Sequence, residues 1–176
     1  SEIYDRCILV NGVSKSYAMT GWRIGYIAAP VPVSAAISRL QSHTTSNPTS
    51  ISQHAAIEAF TMDQLVLSDM IATFSRRRRL MLDGLNDIPG ISINSPNGAF
   101  YAFPKISALF GKTTTSGNKI TNSLDVCESL LEDVNIACVP GIGFGADDYM
   151  RLSYATSDSL ITEGLSRIKQ WVLKLA

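Results

Sequence analysis

The sequence predicts an α/β protein built from two parts, and three observations support that prediction. Apolar residues make up 45% of the 176 positions and charged residues 17%, within the range of an ordinary globular protein. Short β-branched runs that end at Pro or Gly alternate with longer segments whose apolar residues recur at helical spacing. The character of the chain changes near Leu67, where one long helical segment begins. We therefore place one domain at residues 1–66 and a second at residues 67–176.

The first domain is predicted to contain two strands followed by two helices. Residues 7–10 and 22–29 are near-continuous apolar runs, and such runs are typical of interior strands that are buried on both faces. Apolar residues at helical spacing predict helices over residues 34–43 and 50–60, with a polar loop between them. Because two strands and two helices are few for an independent sheet, we expect this domain to be incomplete.

The second domain begins with a helix predicted over residues 67–86, which carries four consecutive arginines at positions 76–79. We favour a solvated helix face over an anion-binding patch, because four consecutive residues cannot share one face. The remaining predicted elements are strands at 91–93, 99–103, 134–139 and 149–155, a mobile polar loop at 111–118, a helix at 123–133, and a last helix capped by Thr156 or Ser157. We expect this domain to fold alone.

Composition and cysteine spacing limit the classes of partner and compartment. Fifteen basic and fifteen acidic residues give no net charge, so there is no general case for a nucleic-acid or anionic-membrane partner. No apolar run approaches the length of a membrane helix, about 20 residues. Cys7, Cys127 and Cys138 are widely spaced, which indicates neither a disulfide framework nor a zinc site and fits a reducing compartment. His43 and His54 have no spacing suited to a metal or a catalytic triad, so we interpret them as structural.

Residues 12–25 carry the clearest chemical signal and read GVSKSYAMTGWRIG. Lys15 follows the first predicted strand, and Arg23 comes eight residues later between Gly21 and Gly25. A lysine that is desolvated or lies near another cation can lose its proton and attack a carbonyl. An arginine stays charged and can hold a phosphate through two parallel hydrogen bonds. The stretch therefore indicates a Schiff-base amine beside a phosphate site.

This stretch resembles the pyridoxal-phosphate attachment site of class I and II aminotransferases, the fold-type I family. Three further stretches resemble the same family in the same order. They are the loop at residues 41–50, as in the bacterial aspartate-aminotransferase-like subgroup, the small-domain strand motif at 96–104, and the motif at 140–155 that presents a substrate-binding arginine. The resemblance covers essentially the whole chain. It implies the end of an incomplete large pyridoxal-phosphate-binding domain at residues 1–66 and the α/β small C-terminal domain at 67–176.

The resemblance also implies roles for particular residues. Lys15 would bind pyridoxal phosphate covalently and, once freed, move a proton between the substrate α-carbon and the cofactor. Arg23 would bind the cofactor phosphate. Ser14 could add a hydroxyl to it, although some relatives supply that hydroxyl three residues before the lysine, where this chain has a glycine. Arg151 would hold the α-carboxylate of the amino acid as a bidentate pair. Phe100 either lines the substrate pocket or is a core aromatic.

Taken with these roles, the resemblance implies the C-terminal part of a cytoplasmic, homodimeric aminotransferase. It would move an amino group between an L-amino acid, aspartate in this subgroup, and a 2-oxo acid. In this family the partners of the pyridine nitrogen and ring oxygen precede the lysine, so we expect the chain alone to be inactive and to hold the cofactor weakly. Two alternatives stay open: a carbon–sulfur lyase or related enzyme on the same scaffold, and the effector domain of a transcription regulator.

Overall fold

The computed structural model of the chain describes residues 3–176. It divides into two compact units, one that ends at Ser68 and one that runs from Asp69 to Ala176. The predicted domains change at residues 66–67, and the first two residues of the predicted first domain lie outside the described part. The assignment of the units to a large and a small aminotransferase domain stays a prediction.

The first unit contains a two-stranded antiparallel sheet and two helices. Strand β1 (Leu9–Gly12) pairs with β2 (Gly25–Ala28), and helices α1 (Val31–Ser42) and α2 (Ser50–Thr61) follow. Their small core is formed by Val13, Met19, Ala56 and Ala59.

The expectation of two interior strands is wrong. The side chains of Leu9 and Val10 in β1 are 53% and 76% exposed, because within residues 3–176 this sheet has two strands and little to cover them. The start of α1 was also placed too late, since the helix begins at Val31 and includes Pro32 in its first turn. A proline is tolerated there because the N–H it lacks would have no partner within the helix.

The second unit surrounds a three-stranded antiparallel sheet with three helices. The elements in chain order are α3 (Ser68–Asn86), β3 (Tyr101–Ala102), α4 (Ser123–Val134), β4 (Val139–Pro140), β5 (Met150–Ser153) and α5 (Asp158–Val172). The strand order β3-β5-β4 puts β5 in the centre. Leu85, Leu130, Met150 and Ile168 are among the buried side chains of a single core that joins the three helices to the sheet.

Two predicted strands of the second unit need correction. Helix α4 ends at Val134 and is capped by Asn135, which takes the left-handed conformation with φ of 55°. The strand predicted over 134–139 therefore begins only at Val139. The strand predicted at 91–93 is reduced to a single β-bridge between Ser92 and Lys105. By contrast, the side chain of Ser157 accepts the Leu160 N–H at 3.3 Å and caps α5 as predicted.

Hydrogen bonds hold the polar segment at residues 111–118, which the sequence predicts to be a mobile loop. Thr113 and Ala176 exchange two backbone hydrogen bonds, of 2.9 and 3.0 Å. Thr114 is buried, and its side-chain oxygen accepts the Asn118 N–H at 3.0 Å. The C-terminus of the chain is thereby fixed to this segment.

The arginine run is partly a contact between elements. Arg77 and Arg78 are half-buried, which corrects the predicted solvated face for these two, whereas Arg76 and Arg79 are exposed as predicted. Arg76 and Arg77 pair with Asp158 at the start of α5, at N–O distances of 2.8 and 3.2 Å. The hydrogen bond from Arg76 lowers the pKa of Asp158. Arg78 donates from Nη1 to the carbonyl of Pro96 at 3.0 Å. These arginines connect α3 to α5 and to the segment that leads into β3.

Two features of the described part of the chain concern membranes and metal ions. Within residues 3–176, no helix is both long enough and apolar enough to cross a bilayer. The same residues bring no three histidine, cysteine, aspartate or glutamate side chains together in a way that could hold a metal ion.

Candidate active site

A tight turn at the end of β1 presents Lys15. The turn is closed by two backbone hydrogen bonds, from the Met19 N–H to the Ser14 carbonyl at 3.0 Å and from the Tyr17 N–H to the Val13 carbonyl at 3.2 Å. Val13 and Met19 are buried and anchor both ends of the turn, whereas Lys15 is exposed. The backbone of Lys15 is therefore held in place while its side chain stays accessible.

Two glycines allow β1 and β2 to approach closely at this end of the sheet. Gly12 lies directly opposite Gly25. A Cβ atom added at Gly12 would lie 3.2 Å from the Ile24 carbonyl oxygen, and one added at Gly25 would lie 3.1 Å from the Asn11 carbonyl oxygen. The loop that joins the two strands carries both Lys15 and Arg23, so the two side chains leave the same end of the sheet.

Arg23 lines a cavity of about 380 Å³ within the first unit. Its backbone takes the left-handed conformation, with φ of 52° and ψ of 49°, and its Nη1 atom donates to the Thr20 carbonyl at 2.9 Å. A non-glycine residue in this conformation is strained and persists only where its surroundings determine it. The fold thus fixes the backbone of Arg23 at the wall of the cavity.

Hydrogen-bonding side chains without negative charge make up much of the cavity lining. Besides Arg23, the polar side chains that line it are Gln41, Thr45, Ser46, Asn47, Thr49 and Ser52. One permanent cation with hydroxyl and amide donors fits a phosphate group, and none of the lining residues is acidic. The structure therefore brings Arg23 together with the loop at 41–50, two stretches that lie almost twenty residues apart in the sequence.

The structure brings only part of the predicted phosphate site together. Ser14 is half-buried on the Lys15 turn, and neither Ser14 nor Lys15 is among the residues that line the Arg23 cavity. Sequence reasoning had not named Gln41 or Ser52 as candidates. The resemblance of residues 41–50 to a family loop was the available signal for Gln41, but Ser52 lies beyond that stretch.

The second unit presents Arg151 from its central strand. Met150 and Leu152, its neighbours in β5, are buried in the core, so Arg151 points to the opposite face of the sheet. Its guanidinium carbon lies 4.4 Å from the ring centre of Tyr101 and 4.9 Å from that of Phe144. Among residues 3–176, no carboxylate forms an ion pair with Arg151. Its charge is therefore not neutralised by a structural ion pair within this part of the chain.

Arg151 also lines a small cavity, of about 170 Å³, beside the sheet. The other lining residues are Tyr101, Ala137, Cys138, Val139 and Ser153. Phe100 is not one of them, since it is half-buried against the core and stacks on Phe74 at a ring-centre distance of 6.0 Å. The structure therefore places Phe100 as a core aromatic.

The loop that leads into β5 depends on Gly141. The Gly141 N–H donates to the Tyr149 carbonyl at 2.9 Å, and the Ala146 N–H donates to the Gly141 carbonyl at 3.0 Å. A Cβ atom at position 141 would lie 2.1 Å from the Ala146 carbonyl oxygen and 2.3 Å from that of Tyr149. Because both obstacles are backbone atoms, any side chain at this position forces the loop to move.

We expect Gly141→Ala to lower the free energy of unfolding by about 3 kcal/mol, the upper end of the usual cost of overpacking. Gly143→Ala is the matched control, because a Cβ at position 143 would meet nothing within 4 Å. The control is expected to stay within about 0.5 kcal/mol of the unsubstituted chain. Chemical denaturation followed by circular dichroism measures both, and equal effects would contradict the close approach at Gly141.

Comparison with solved structures defines the class of protein. The chain superposes on an aspartate aminotransferase from Rhizobium meliloti with a TM-score of 0.95 and 44% identity, over 98% of this chain and 43% of that one. It also superposes on an aromatic aminotransferase from Pyrococcus horikoshii with a TM-score of 0.86 and 32% identity, over 97% and 44% of the two chains. The fold is that of the C-terminal part of a fold-type I aminotransferase, as the sequence predicted.

Sequence comparison gives the family. The family described as Aminotransferase class I and II matches residues 2–168, and the chain belongs to that family. It is 44% identical over 174 residues to an aspartate/prephenate aminotransferase from Cereibacter sphaeroides, covering 99% of this chain and 44% of that protein. It is 46% identical over 164 residues to an aspartate aminotransferase from Rhizobium meliloti, covering 93% and 40%. The chain thus spans about two fifths of the length of these relatives.

Proposed function

We propose that the full-length protein is a pyridoxal-phosphate-dependent aminotransferase that moves an amino group between L-aspartate and a 2-oxo acid. The observation that carries the proposal is the loop between β1 and β2, which holds Lys15 on a fixed turn and Arg23 on the wall of a cavity suited to phosphate. The names of the relatives support aspartate as the amino donor.

In this proposal Arg23 and Arg151 each have one task, and Lys15 has two. Lys15 would hold the cofactor covalently through Nζ, and Arg23 would hold its phosphate with the hydroxyl and amide groups of the cavity. When bound, pyridoxal phosphate supplies the carbonyl that takes up the amino group and the electron sink that stabilises a carbanion. Once the amino group of the substrate has displaced it from the cofactor, Nζ of Lys15 would be a free amine and would accept the proton from the α-carbon of the amino acid, as a general base. Arg151 binds the α-carboxylate and thereby fixes which bond at the α-carbon reacts.

We also propose that the protein is cytoplasmic and acts as a homodimer. The cysteines at positions 7, 127 and 138 are all free, which supports a reducing compartment. The dimer is proposed from the family resemblance.

A substrate panel tests this function against the alternatives. The full-length protein, loaded with pyridoxal phosphate, is expected to convert L-aspartate and 2-oxoglutarate into oxaloacetate and glutamate. Prephenate belongs in the panel of acceptors, because relatives are named for it. Release of pyruvate from cystathionine, without transfer to an acceptor, would favour a carbon–sulfur lyase. No turnover with any amino acid would contradict the proposal and favour an effector-binding domain.

A further inference from the structure

Two aromatic rings contact the guanidinium of Arg151, and the proposed function assigns a role to neither. Their centres lie 4.4 Å (Tyr101) and 4.9 Å (Phe144) from Cζ of Arg151, within the distance of about 6 Å at which a ring face attracts a cation. Within the described part of the chain, neither a hydrogen bond nor an ion pair holds this guanidinium. The two rings are therefore what fixes its position.

The sheet sets the position of Tyr101. Tyr101 in β3 lies opposite Ser153, which is two residues beyond Arg151 on the same face of β5. Tyr101 and Arg151 are thus diagonal neighbours, a spacing that aromatic and long side chains can bridge. Phe100 supports the tyrosine ring at a ring-centre distance of 4.6 Å and in turn stacks on Phe74 of α3.

Phe144 reaches Arg151 from a different element and is also supported by another ring. It ends the short 3₁₀ turn Gly141–Phe144 that precedes β5. Phe103 contacts it edge to face at 5.9 Å, and Phe103 itself stacks on Tyr149 with ring planes 3° apart. Phe144 is 50% exposed, so neighbouring rings rather than burial hold it at the guanidinium.

We propose that Tyr101 and Phe144 are positioning residues that hold the guanidinium of Arg151 ready for the α-carboxylate of the substrate. The proposal rests on the proposed role of Arg151 as the carboxylate-binding residue. Aromatic rings contact the flat faces of a guanidinium, so its N–H donors, which lie in the plane, stay available for a bidentate carboxylate. A protein carboxylate would hold the arginine equally well but would occupy those donors. An arginine fixed in advance also loses less conformational freedom when the substrate binds.

The test removes each ring in the full-length protein. Tyr101→Leu and Phe144→Leu are each expected to raise KM for L-aspartate about tenfold while kcat changes by less than about threefold, the size expected for one cation–π contact. Phe144→Tyr and Tyr101→Phe keep a ring at each position and are expected to restore most of the lost affinity. Succinate is a dicarboxylate that cannot react, and its binding can be measured by calorimetry. Its affinity should fall in the two leucine variants and be largely kept in Phe144→Tyr and Tyr101→Phe.

Two further variants make the result decisive. Phe110→Leu removes a half-buried ring that packs against the core of the second unit, and it is expected to leave KM unchanged. Arg151→Leu distinguishes the positioning role of the two rings from the carboxylate-binding role of Arg151. If it raises KM strongly while both ring variants bind like the unsubstituted protein, the positioning role is wrong and the proposed function stands. If Arg151→Leu itself leaves KM unchanged, Arg151 does not bind the carboxylate, and the positioning role of the two rings is wrong as well; the substrate panel tests the transamination separately. Because Phe144 is half exposed, Phe144→Leu is expected to fold and to give an answer even if Tyr101→Leu does not.

Discussion

Replacing Lys15 by alanine in the full-length protein is expected to abolish the visible absorbance band of lysine-bound pyridoxal phosphate and to lower kcat by about 10⁴-fold. The factor is the upper end of what a positioned general acid or base contributes. Lys15 is expected to matter this much because it has two tasks in the proposed function, covalent attachment and proton transfer. The buried anchors Val13 and Met19 are unchanged in this variant, so the turn should persist. Absorbance titration and the transamination assay measure the two effects separately.

Lys105→Ala is the matched control for that experiment. Lys105 is also an accessible lysine, but it lies in the second unit, where its Nζ is 3.6 Å from a carboxylate oxygen of Asp148. A surface ion pair of this kind contributes about 0–1 kcal/mol to stability, so the control should fold, bind the cofactor and turn over normally. An absorbance band that survives in Lys15→Ala would remove Lys15 from its proposed role.

Replacing Arg151 by leucine is expected to lower kcat/KM for L-aspartate by about 10²–10⁴-fold. Two hydrogen bonds between charged groups contribute about 1.5–3 kcal/mol each, and every 1.36 kcal/mol corresponds to a factor of ten. Most of the loss should appear in KM, because the carboxylate is bound before and during the reaction. Steady-state kinetics over a range of aspartate concentrations measure the division between KM and kcat.

Arg151→Lys refines this result. Lysine keeps the charge but cannot form two parallel hydrogen bonds, so we expect a loss between those of the leucine variant and the unsubstituted protein. Arg167→Leu serves as the control, because Arg167 lies on the exposed side of α5 and pairs with Glu163 one turn earlier. Equal kinetics for Arg151→Leu and Arg167→Leu would show that Arg151 does not bind the substrate carboxylate.

Much of the helical structure could be predicted from the sequence, because helices depend on local spacing. The helices α2, α3 and α4 lie close to their predicted ranges, and Ser157 caps α5 as expected. The strands were harder, because their length depends on pairing with distant residues. The strand predicted at 134–139 shrinks to two residues, since Asn135 takes a left-handed conformation that apolar patterning does not reveal.

Side-chain contacts between distant segments could not be predicted from the sequence. Half-buried Arg77 was predicted to be solvated because its partner, Asp158, lies 81 positions later in the chain. The same limit applies to the candidate site. Lys15, Arg23 and Arg151 could be proposed from local motifs, and their roles stay predictions. The cavity walls around Arg23 and the rings that contact Arg151 come from separate stretches, and only the folded chain brings them together.

Mass spectrometry after borohydride reduction can show whether Lys15 binds the cofactor. The full-length protein is mixed with pyridoxal phosphate, reduced so that the bond to lysine becomes permanent, and digested with trypsin. A modified Lys15 resists cleavage, so we expect a single labelled peptide that runs from Cys7 to Arg23. Label on another lysine such as Lys105, or no label under conditions where the protein is folded, would contradict this expectation.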